Sequence, residues 1–398
     1  MTFSEALKPL KLRSFIREYW GKEVLISKRT RYGLCAQLPD RTDFEAMVAT
    51  LTSPMDGWFS LVKGRAQPPP REAVNATGTL NLSAVYAAYK DGYTLLLTKL
   101  EARHGGLAAF CRALESELTM EGAYLRRPVG ANAYLSPPSS QGFSIHYDDH
   151  DVCIVQLSGR KSWHIYRRYV DSPICPPTRP ISEKEIGRPR WKVELTPGDL
   201  VYLPRGFAHE AKTGKSHSLH VTLSLHPVTW KDLITAIVAD GPEFHRNIPI
   251  HFDHPSRESK TAHRQVRRLM DALHRRTLAG GIIRNGATDL LAQSGLLPGN
   301  ALAEIDDADN VTGQCVVALS PGIYGRTETT KDAAVLHVPG ASFRADRFMA
   351  PVYRYILKKR RFKVNELPIA VSPEEKSSFV RSLIREGVLV FAGPCYND

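Results

Sequence analysis

Two histidines and one carboxylate set the chemistry this sequence can do. His146 and Asp148 stand two apart in FSIHYDDHD, and His209 follows 63 positions after His146, in PRGFAHE. Two imidazoles and a carboxylate on one side of a metal leave open coordination positions, the donor set of a facial iron(II) site. Zinc accepts the same donor types. On a β-strand, residues two apart leave from the same face, so one strand can present both His146 and Asp148. The chain has 14 histidines, so an HxD pair with a distant histidine is weak alone, and a surface pair is the alternative.

The surroundings strengthen the metal reading. DVCIVQLSGRKSWHIY reads as two strands around Ser158-Gly159, the second placing Lys161, Trp163 and Ile165 on one face. Pro197-Gly198-Asp199 and Pro204-Arg205-Gly206 are turn signals, and Leu200 to Leu203 between them reads as a short strand. In SHSLHVTLSLHP, Ser218, His220, Thr222 and Ser224 fall on one face and Leu219, Val221, Leu223 and Leu225 on the other. Solvent is the ordinary place for such a polar face; one hairpin from the ligands it instead lines a cavity. An iron(II) held by three protein ligands keeps three positions, two for a bidentate keto-acid and one for dioxygen. The far carboxylate of that acid needs a cation in a dry pocket, because an unpaired buried charge is costly. Lys161, in phase with Trp163 and Ile165, is the candidate; the alternative is a surface lysine beside Arg160.

At 398 residues the chain is long enough for two or three domains. No window approaches the roughly 18 apolar residues of a membrane span, and MTFSEALKPLKLRSFIREYW lacks the apolar core of a secretory signal. Cysteines 35, 111, 153, 175, 315 and 395 show no clustered spacing. That argues against a structural zinc site or a disulfide framework, and points to a reducing compartment, the cytoplasm. Lysine and arginine exceed the acids, 53 − 41 = +12. Such a balance favours acidic partners, RNA or a ribonucleoprotein first, although solubility explains it as well. The charge gathers in HRQVRRLMDALHRR (263–276) and Lys358-Lys359-Arg360-Arg361, neither interleaved with aromatics as a single-strand binding platform requires.

Along the chain, residues 1–125 read as mixed and helix-rich. PLKLRSFIREYWGKEVLISKR passes from helical spacing to a strand-like VLI, and LTKLEARHGGLAAFCRALESELT reads as a helix interrupted by Gly105-Gly106. Residues 126–228 alternate short strands with turns, the pattern of a barrel or sandwich. Residues 229–310 turn helical. TWKDLITAIVADG ends at Gly241, SKTAHRQVRRLMDALHRRTLAGG ends at Gly280-Gly281, and ATDLLAQSGL is a further short helix, together a bundle suited to a second copy of itself. In 311–398, CVVAL, AAVLHV and VLVF are strand-like, and RFMAPVYRYILKKR and SPEEKSSFVRSLIREG are helices. The last of these has Ser372 as N-cap, Pro373 at N1 and Glu375 at N3. That order suggests a winged helix, which serves for docking at least as often as for DNA.

The run NAYLSPPSSQGFSIHYDDHDVCIVQLSGRKSWHIY, with GDLVYLPRGFAHEA and HSLHVTLS, resembles the ribosomal oxygenases, JmjC-type members of the cupin superfamily that use iron(II) and 2-oxoglutarate. REYWGKEVLI and the order of parts are similar too. The resemblance implies an α+β chain. A double-stranded β-helix catalytic domain with an N-terminal helical elaboration would fill 1–228, a helical dimerisation domain 229–310 and a winged helix 311–398. By position, His146, Asp148 and His209 match the family's catalytic metal triad, and Lys161 the residue holding the C5 carboxylate of 2-oxoglutarate. Asn132, Tyr134 and Ser224 match positions that hydrogen-bond the target side chain in histidine-hydroxylating members. An amide, a phenol and a hydroxyl suit a neutral imidazole, whereas an arginine would want a carboxylate. Cys153 departs from the family, which usually has a bulkier residue there. The implied activity is 2-oxoglutarate- and dioxygen-dependent hydroxylation of a protein side chain, histidine first, in a homodimer with a ribosomal protein as substrate and rRNA met by the basic surface. Alternatives are a hydroxylase of a biosynthetic precursor peptide and an idle cupin acting as a nucleic-acid-binding regulator; demethylation of histone-like lysines ranks below these.

Overall fold

The computed structural model describes residues 2–28, 32–52, 56–67, 73–239, 241–247, 259–278, 301–320 and 323–393. Its centre is a pair of sheets built from β1 (Leu25–Ser27), β2 (Phe59–Lys63), β3 (Arg65–Gln67), β4 (Thr94–Leu97), β5 (Gly130–Ser136), β6 (Asp151–Gly159), β7 (Lys161–Arg168), β8 (Trp191–Leu195), β9 (Leu200–Leu203), β10 (Phe207–Lys212) and β11 (Ser218–Leu225). Eight of them form one antiparallel sheet in the order β1-β9-β6-β11-β5-β4-β2-β3, and three form a second, β10-β7-β8. The N-terminal part is more than helical: it supplies four strands to the large sheet, at both of its ends.

Two of the chain's four passages between these sheets turn on tightly packed glycines. Sequence pattern suggests a hairpin at Ser158-Gly159, yet β6 and β7 do not pair; they belong to different sheets. Gly159 has φ +66°, and a Cβ there would lie 1.9 Å from the His217 carbonyl oxygen. Gly206 makes the second corner between β9 and β10, with φ +81° and a Cβ position 1.8 Å from the carbonyl oxygen of Val170. Only glycine reaches this backbone region without cost and leaves room for a neighbouring chain.

Strand pleat sorts the side chains. Ala131, Ala133 and Leu135 of β5, Cys153 and Val155 of β6, and Leu219, Val221 and Leu223 of β11 all enter the main apolar core. On its other side stand α1 (Phe3–Leu7), α2 (Leu12–Glu18), α3 (Arg41–Ala49), α4 (Leu82–Lys90) and α5 (Gly105–Met120). In α5, Leu107, Phe110, Leu114 and Leu118 recur at helical spacing and are buried in that core. Each contributes roughly 1.5–3 kcal/mol of burial. Gly105-Gly106 opens this helix instead of interrupting it: His104 caps it, its Nδ1 accepting from the Leu107 N–H at 3.1 Å. The preceding TLLL is strand β4. The opposite faces of β5, β6 and β11 turn toward the small sheet, where Val152, Ile154, Trp163, Ile165 and Phe207 form a smaller cluster.

Beyond a four-residue α6 (Glu183–Ile186), α7 (Trp230–Ala239) packs on α8 (Ser259–Leu278). The expected cap at Gly280-Gly281 and the ATDLLAQSGL helix lie outside the described residues. The C-terminal part has its own core. It holds α9 (Ala301–Asp307), β12 (Val316–Leu319), β13 (Arg326–Thr329), β14 (Ala333–Val338), β15 (Ala341–Asp346), α10 (Ala350–Lys359), β16 (Arg361–Lys363), α11 (Pro373–Arg385) and β17 (Leu389–Phe391). Ser372 caps α11 in a full capping box with Glu375 and Pro373 at its first turn. Two three-stranded sheets are present, β16-β12-β17 and the meander β13-β14-β15; sequence spacing did not announce the meander's outer strands. Tyr324 donates to the buried Glu115 carboxylate of α5 at 3.4 Å, joining this part to the barrel domain. Cys35, Cys111, Cys153 and Cys175 are free, but Cys315 is disulfide-bonded, contrary to the all-reduced set expected from spacing. No helix among the described residues is long and apolar enough to cross a membrane.

The corner argument is testable. Gly206→Ala should destabilise the protein by about 1–3 kcal/mol or more, and Gly214→Ala, where a Cβ meets nothing within 4 Å, by less than about 1 kcal/mol. Urea unfolding of both variants reads the difference; equal midpoints would show that the corner tolerates a side chain.

Candidate metal centre

The first ligand pair does not sit on a regular strand, as the alternation suggests. It lies on an extended segment between β5 and β6 that touches the sheets through isolated bridges. One of these pairs His146 with His209. The His146 N–H donates to the His209 carbonyl at 3.1 Å, and the His209 N–H returns a bond to the His146 carbonyl at 2.8 Å. At the second corner, the Gly206 N–H holds the Asp148 carbonyl at 3.0 Å. Directly paired antiparallel residues put their side chains on the same face, so this bridge sets both imidazoles side by side, ring centroids 4.4 Å apart.

The rings are oriented from behind. His146 Nδ1 lies 2.7 Å from the Ser144 carbonyl oxygen and His209 Nδ1 3.1 Å from that of Phe207. A carbonyl only accepts, so each Nδ1 carries the proton and each Nε2 keeps its lone pair for a metal. His209 Nε2 stands 3.7 Å from an Asp148 oxygen. One donor atom from each of the three residues falls within 4.8 Å of the others. Burial, with His146 adding to it against the pull of Asp148, holds the His209 pKa down at about 4. The ligand form, neutral imidazole, is therefore the resting form.

Lys161 reaches the same cavity from β7. It is 4% exposed, and burial lowers its pKa to about 7. Its ammonium donates to Ser136 Oγ at 2.9 Å, which in turn bonds Thr94 Oγ1 at 2.8 Å. Among the described residues no carboxylate pairs with it. Two further buried groups of the cavity wall lack partners, Trp163 Nε1 and His220 Nδ1. A buried ammonium beside an orphaned indole N–H calls for an anion bearing acceptors, and a dicarboxylate such as 2-oxoglutarate fits that need. The three-donor set likewise fits iron(II), with open positions toward the cavity.

The cavity itself measures about 720 Å³. Its wall takes the inward residues of β5 and β11, Asn132, Tyr134, His220, Thr222 and Ser224 among them, so the polar face of SHSLHVTLS does line a cavity. Tyr134 stacks on His220 with centroids 4.8 Å apart, and burial and the Asp148 charge raise its pKa, against a hydrogen bond from Asn132. Trp163 stacks near His209, centroids 6.0 Å apart, and meets His220 edge-on. All seven residues singled out from sequence, His146, Asp148, His209, Lys161, Asn132, Tyr134 and Ser224, border one cavity. Cys153 points the other way, into the helix-covered core, so it leaves the triad untouched. Sequence reasoning missed Ser136 and Thr94, which seat Lys161, and the Lys63–Arg65 and Pro176–Pro180 segments at the rim. The first pair could have been found from the strand phase of Ser136; the rim segments carry no local signal.

Comparison with known proteins places residues 113–233 in a JmjC domain. The chain is 31% identical over 264 residues to ribosomal oxygenase 1 of Rattus norvegicus, a match covering 63% of this chain and 42% of that protein. It is 36% identical over 172 residues, 42% of this chain and 32% of the other, to the bifunctional lysine-specific demethylase and histidyl-hydroxylase NO66 of Dictyostelium discoideum. The chain thus spans less than half the length of these relatives. A solved structure of E. coli ycfD matches with a TM-score of 0.59 at 16% identity, covering 96% of this chain and 98% of that one. Another, of the E. coli ribosomal oxygenase YcfD with cobalt and 2-oxoglutarate, has a TM-score of 0.57 at 15% identity and covers 97% and 99%. At such identity these two establish a common fold.

The depressed His209 pKa has a measurable consequence. Between about pH 6.5 and pH 4 the unfolded chain binds a proton at this position that the folded one refuses. Stability is therefore complete above pH 6.5 and falls as the pH drops toward 4, by about 3 kcal/mol from this group. Denaturant melts of the metal-free protein across that range should show this loss, and His209→Gln should flatten it. A wild-type profile already flat would refute the assignment.

Proposed function

The chain is a JmjC-domain protein related to the ribosomal oxygenases, and from that premise we propose that it is an iron(II)- and 2-oxoglutarate-dependent oxygenase that hydroxylates a polypeptide side chain, histidine first. The observation that carries this reading is the meeting of the triad and the buried Lys161 on one cavity. His146, Asp148 and His209 would hold the iron, and Lys161 the C5 carboxylate of 2-oxoglutarate. Iron(II), 2-oxoglutarate and dioxygen together supply the oxidation that turns a C–H bond into C–OH, releasing succinate and carbon dioxide.

The protein's part is to bind, orient and exclude. The Ser144 and Phe207 carbonyls fix the tautomer of both imidazoles and aim their Nε2 atoms at the metal position. Ser136 and Thr94 hold the Lys161 ammonium in place before the cosubstrate arrives, which lowers the ordering cost of binding. Asn132, Tyr134 and Ser224 would receive the target side chain. The amide donates and accepts, and Tyr134 stays a protonated donor, so both nitrogens of a neutral imidazole can be met. This wall offers no carboxylate to a guanidinium and suits a compact polar group better than a methylated lysine. A ribosomal protein is the leading substrate, given the names of the relatives, with rRNA met by the basic surface. A biosynthetic precursor peptide is the second reading, and a nucleic-acid-binding regulator without catalysis the third.

The domain scheme supports a homodimer. Trp230, Ile234 and Val238 recur every fourth residue of α7 and are 77%, 44% and 37% exposed, while Val266 and Met270 of α8 are 46% and 58% exposed. An apolar stripe of this kind on packed helices marks an association surface. We assign 229–310 to dimerisation and 311–398 to a winged helix used for docking.

Four experiments test these readings. Anaerobic iron(II) plus 2-oxoglutarate should give a weak visible band, absent in His146→Ala and Asp148→Ala, and aerobic incubation with ribosomal proteins should add one oxygen to a peptide seen by mass spectrometry. Lys161→Met should weaken 2-oxoglutarate binding by about 30-fold or more while making the cosubstrate-free protein more heat-stable, since an unpaired buried charge is gone. An unchanged affinity would place the cosubstrate elsewhere. Light scattering should report a dimer that Ile234→Lys with Met270→Lys splits; a monomeric wild type would end the dimer proposal.

A further inference from the structure

The rim of the cavity carries a feature that neither the triad nor the cosubstrate uses. β2 and β3 form a tight hairpin in which Lys63 pairs with Arg65 across Gly64. Its tip is tied to the segment that delivers the first metal ligand. The Gly64 N–H donates to the Gly142 carbonyl at 2.5 Å, and the Ser144 N–H donates to the Gly64 carbonyl at 3.2 Å. Lys63 and Arg65 thereby stand at the cavity lining, two residues of backbone away from His146.

Neither cation is neutralised. The Lys63 ammonium donates to the Asp91 backbone carbonyl at 2.9 Å and lies over the Tyr93 ring. Arg65 is exposed, and among the described residues no carboxylate pairs with it. Across the mouth, Arg179 is held by both oxygens of Glu185, at 2.5 and 3.1 Å, which fixes the Pro176–Pro180 segment. Among the described residues, the one acid of the cavity lining is Asp148, which faces His209 within the triad. A substrate entering here thus meets an uncompensated positive rim, in which Arg65 offers a free planar fork of donors matched to a carboxylate.

We propose that this rim selects a polypeptide segment bearing an acidic side chain beside the residue presented to the triad, with Arg65 reading that acid. The proposal rests on the cavity being a polypeptide-hydroxylase site. A net charge of +12 makes exposed cations common on this chain, but Arg65 differs from them in being hydrogen-bonded through its hairpin to the ligand-bearing segment. A nucleic-acid strand would need a continuous track of cations with stacking platforms. The rim instead has two cations with no carboxylate partner among the described residues, and the same lining carries Pro176, Pro177 and Pro180.

The test uses the full chain loaded with cobalt(II) and 2-oxoglutarate, so that binding is read without turnover. Fluorescein-labelled short peptides with a central histidine, flanked by glutamates or by lysines, are titrated by anisotropy at low and high salt. At low salt the glutamate peptide should bind about tenfold tighter, and salt should erase most of the difference. Arg65→Lys should keep the direction of the preference, Arg65→Ala should reduce it, and Arg65→Glu should invert it. Equal affinities, a preference for the lysine peptide, no binding of either, or tighter binding of hexauridylate than of the glutamate peptide would each overturn the proposal. The cobalt spectrum of the same samples reports separately on the cosubstrate site. Its change on adding 2-oxoglutarate, with no peptide preference, removes this inference alone. No change, with the preference intact, removes the oxygenase reading and leaves an acid-selective peptide cleft.

Discussion

Everything at the centre of this molecule hangs on a two-way hydrogen bond. His146 and His209 exchange backbone N–H to carbonyl bonds, and that exchange, with the Gln141–Lys212 bridge and the Gly206 N–H to Asp148 carbonyl bond, ties the first ligand-bearing segment to β10 and the corner before it. The segment around His146 is otherwise irregular, and this bridge sets His146 directly opposite His209. With it, two rings 63 residues apart in sequence become cross-strand neighbours. A facial metal site asks for that: donors preorganised on one side, with the other side left open.

The second constraint is the pleat. Alternate residues of β5, β6 and β11 go to the helix-covered core and to the cavity, so one set of strands builds both. Apolar burial on the outer face holds the sheet rigid, and that rigidity carries the cost of placing Lys161, His220 and Trp163 in a dry interior. Each of those three is a poor guest in an apolar setting when the cavity is empty of anions. Under the proposed function, their discomfort would make the cavity selective for a charged cosubstrate, an acid that reaches both the ammonium and the orphaned indole N–H.

Much of this was legible in the sequence, for local reasons. The alternation in SHSLHVTLS and the phase of Lys161 with Trp163 and Ile165 are period-two signals that survived into the fold; the HxD pair reaches the site too, but from an extended segment outside the regular strands. The capping box at Ser372 is equally local. Where reading failed, the failure came from partners distant in sequence. Ser158-Gly159 looks like a hairpin because a glycine after a strand usually makes one; the strands part there because the corner is packed against His217. Gly105-Gly106 looks like a helix break, but a cap from His104 turns it into a helix start. Leu97 reads as the first residue of that helix, yet it closes strand β4, which β2 and β5 claim on both sides.

By itself, then, the sequence determined the donor types, their spacing along each strand, and the face on which each side chain leaves. Those follow from backbone periodicity, which is the same in any surroundings. Tertiary structure alone decided which faces meet. It closed two sheets into a barrel at Gly159 and Gly206, brought the Lys63–Arg65 hairpin from the N-terminal region to the cavity rim, and buried Lys161 without a carboxylate. The reason is that strand pairing and burial depend on what lies across a gap of a few ångströms, and that neighbour can be more than a hundred residues away along the chain.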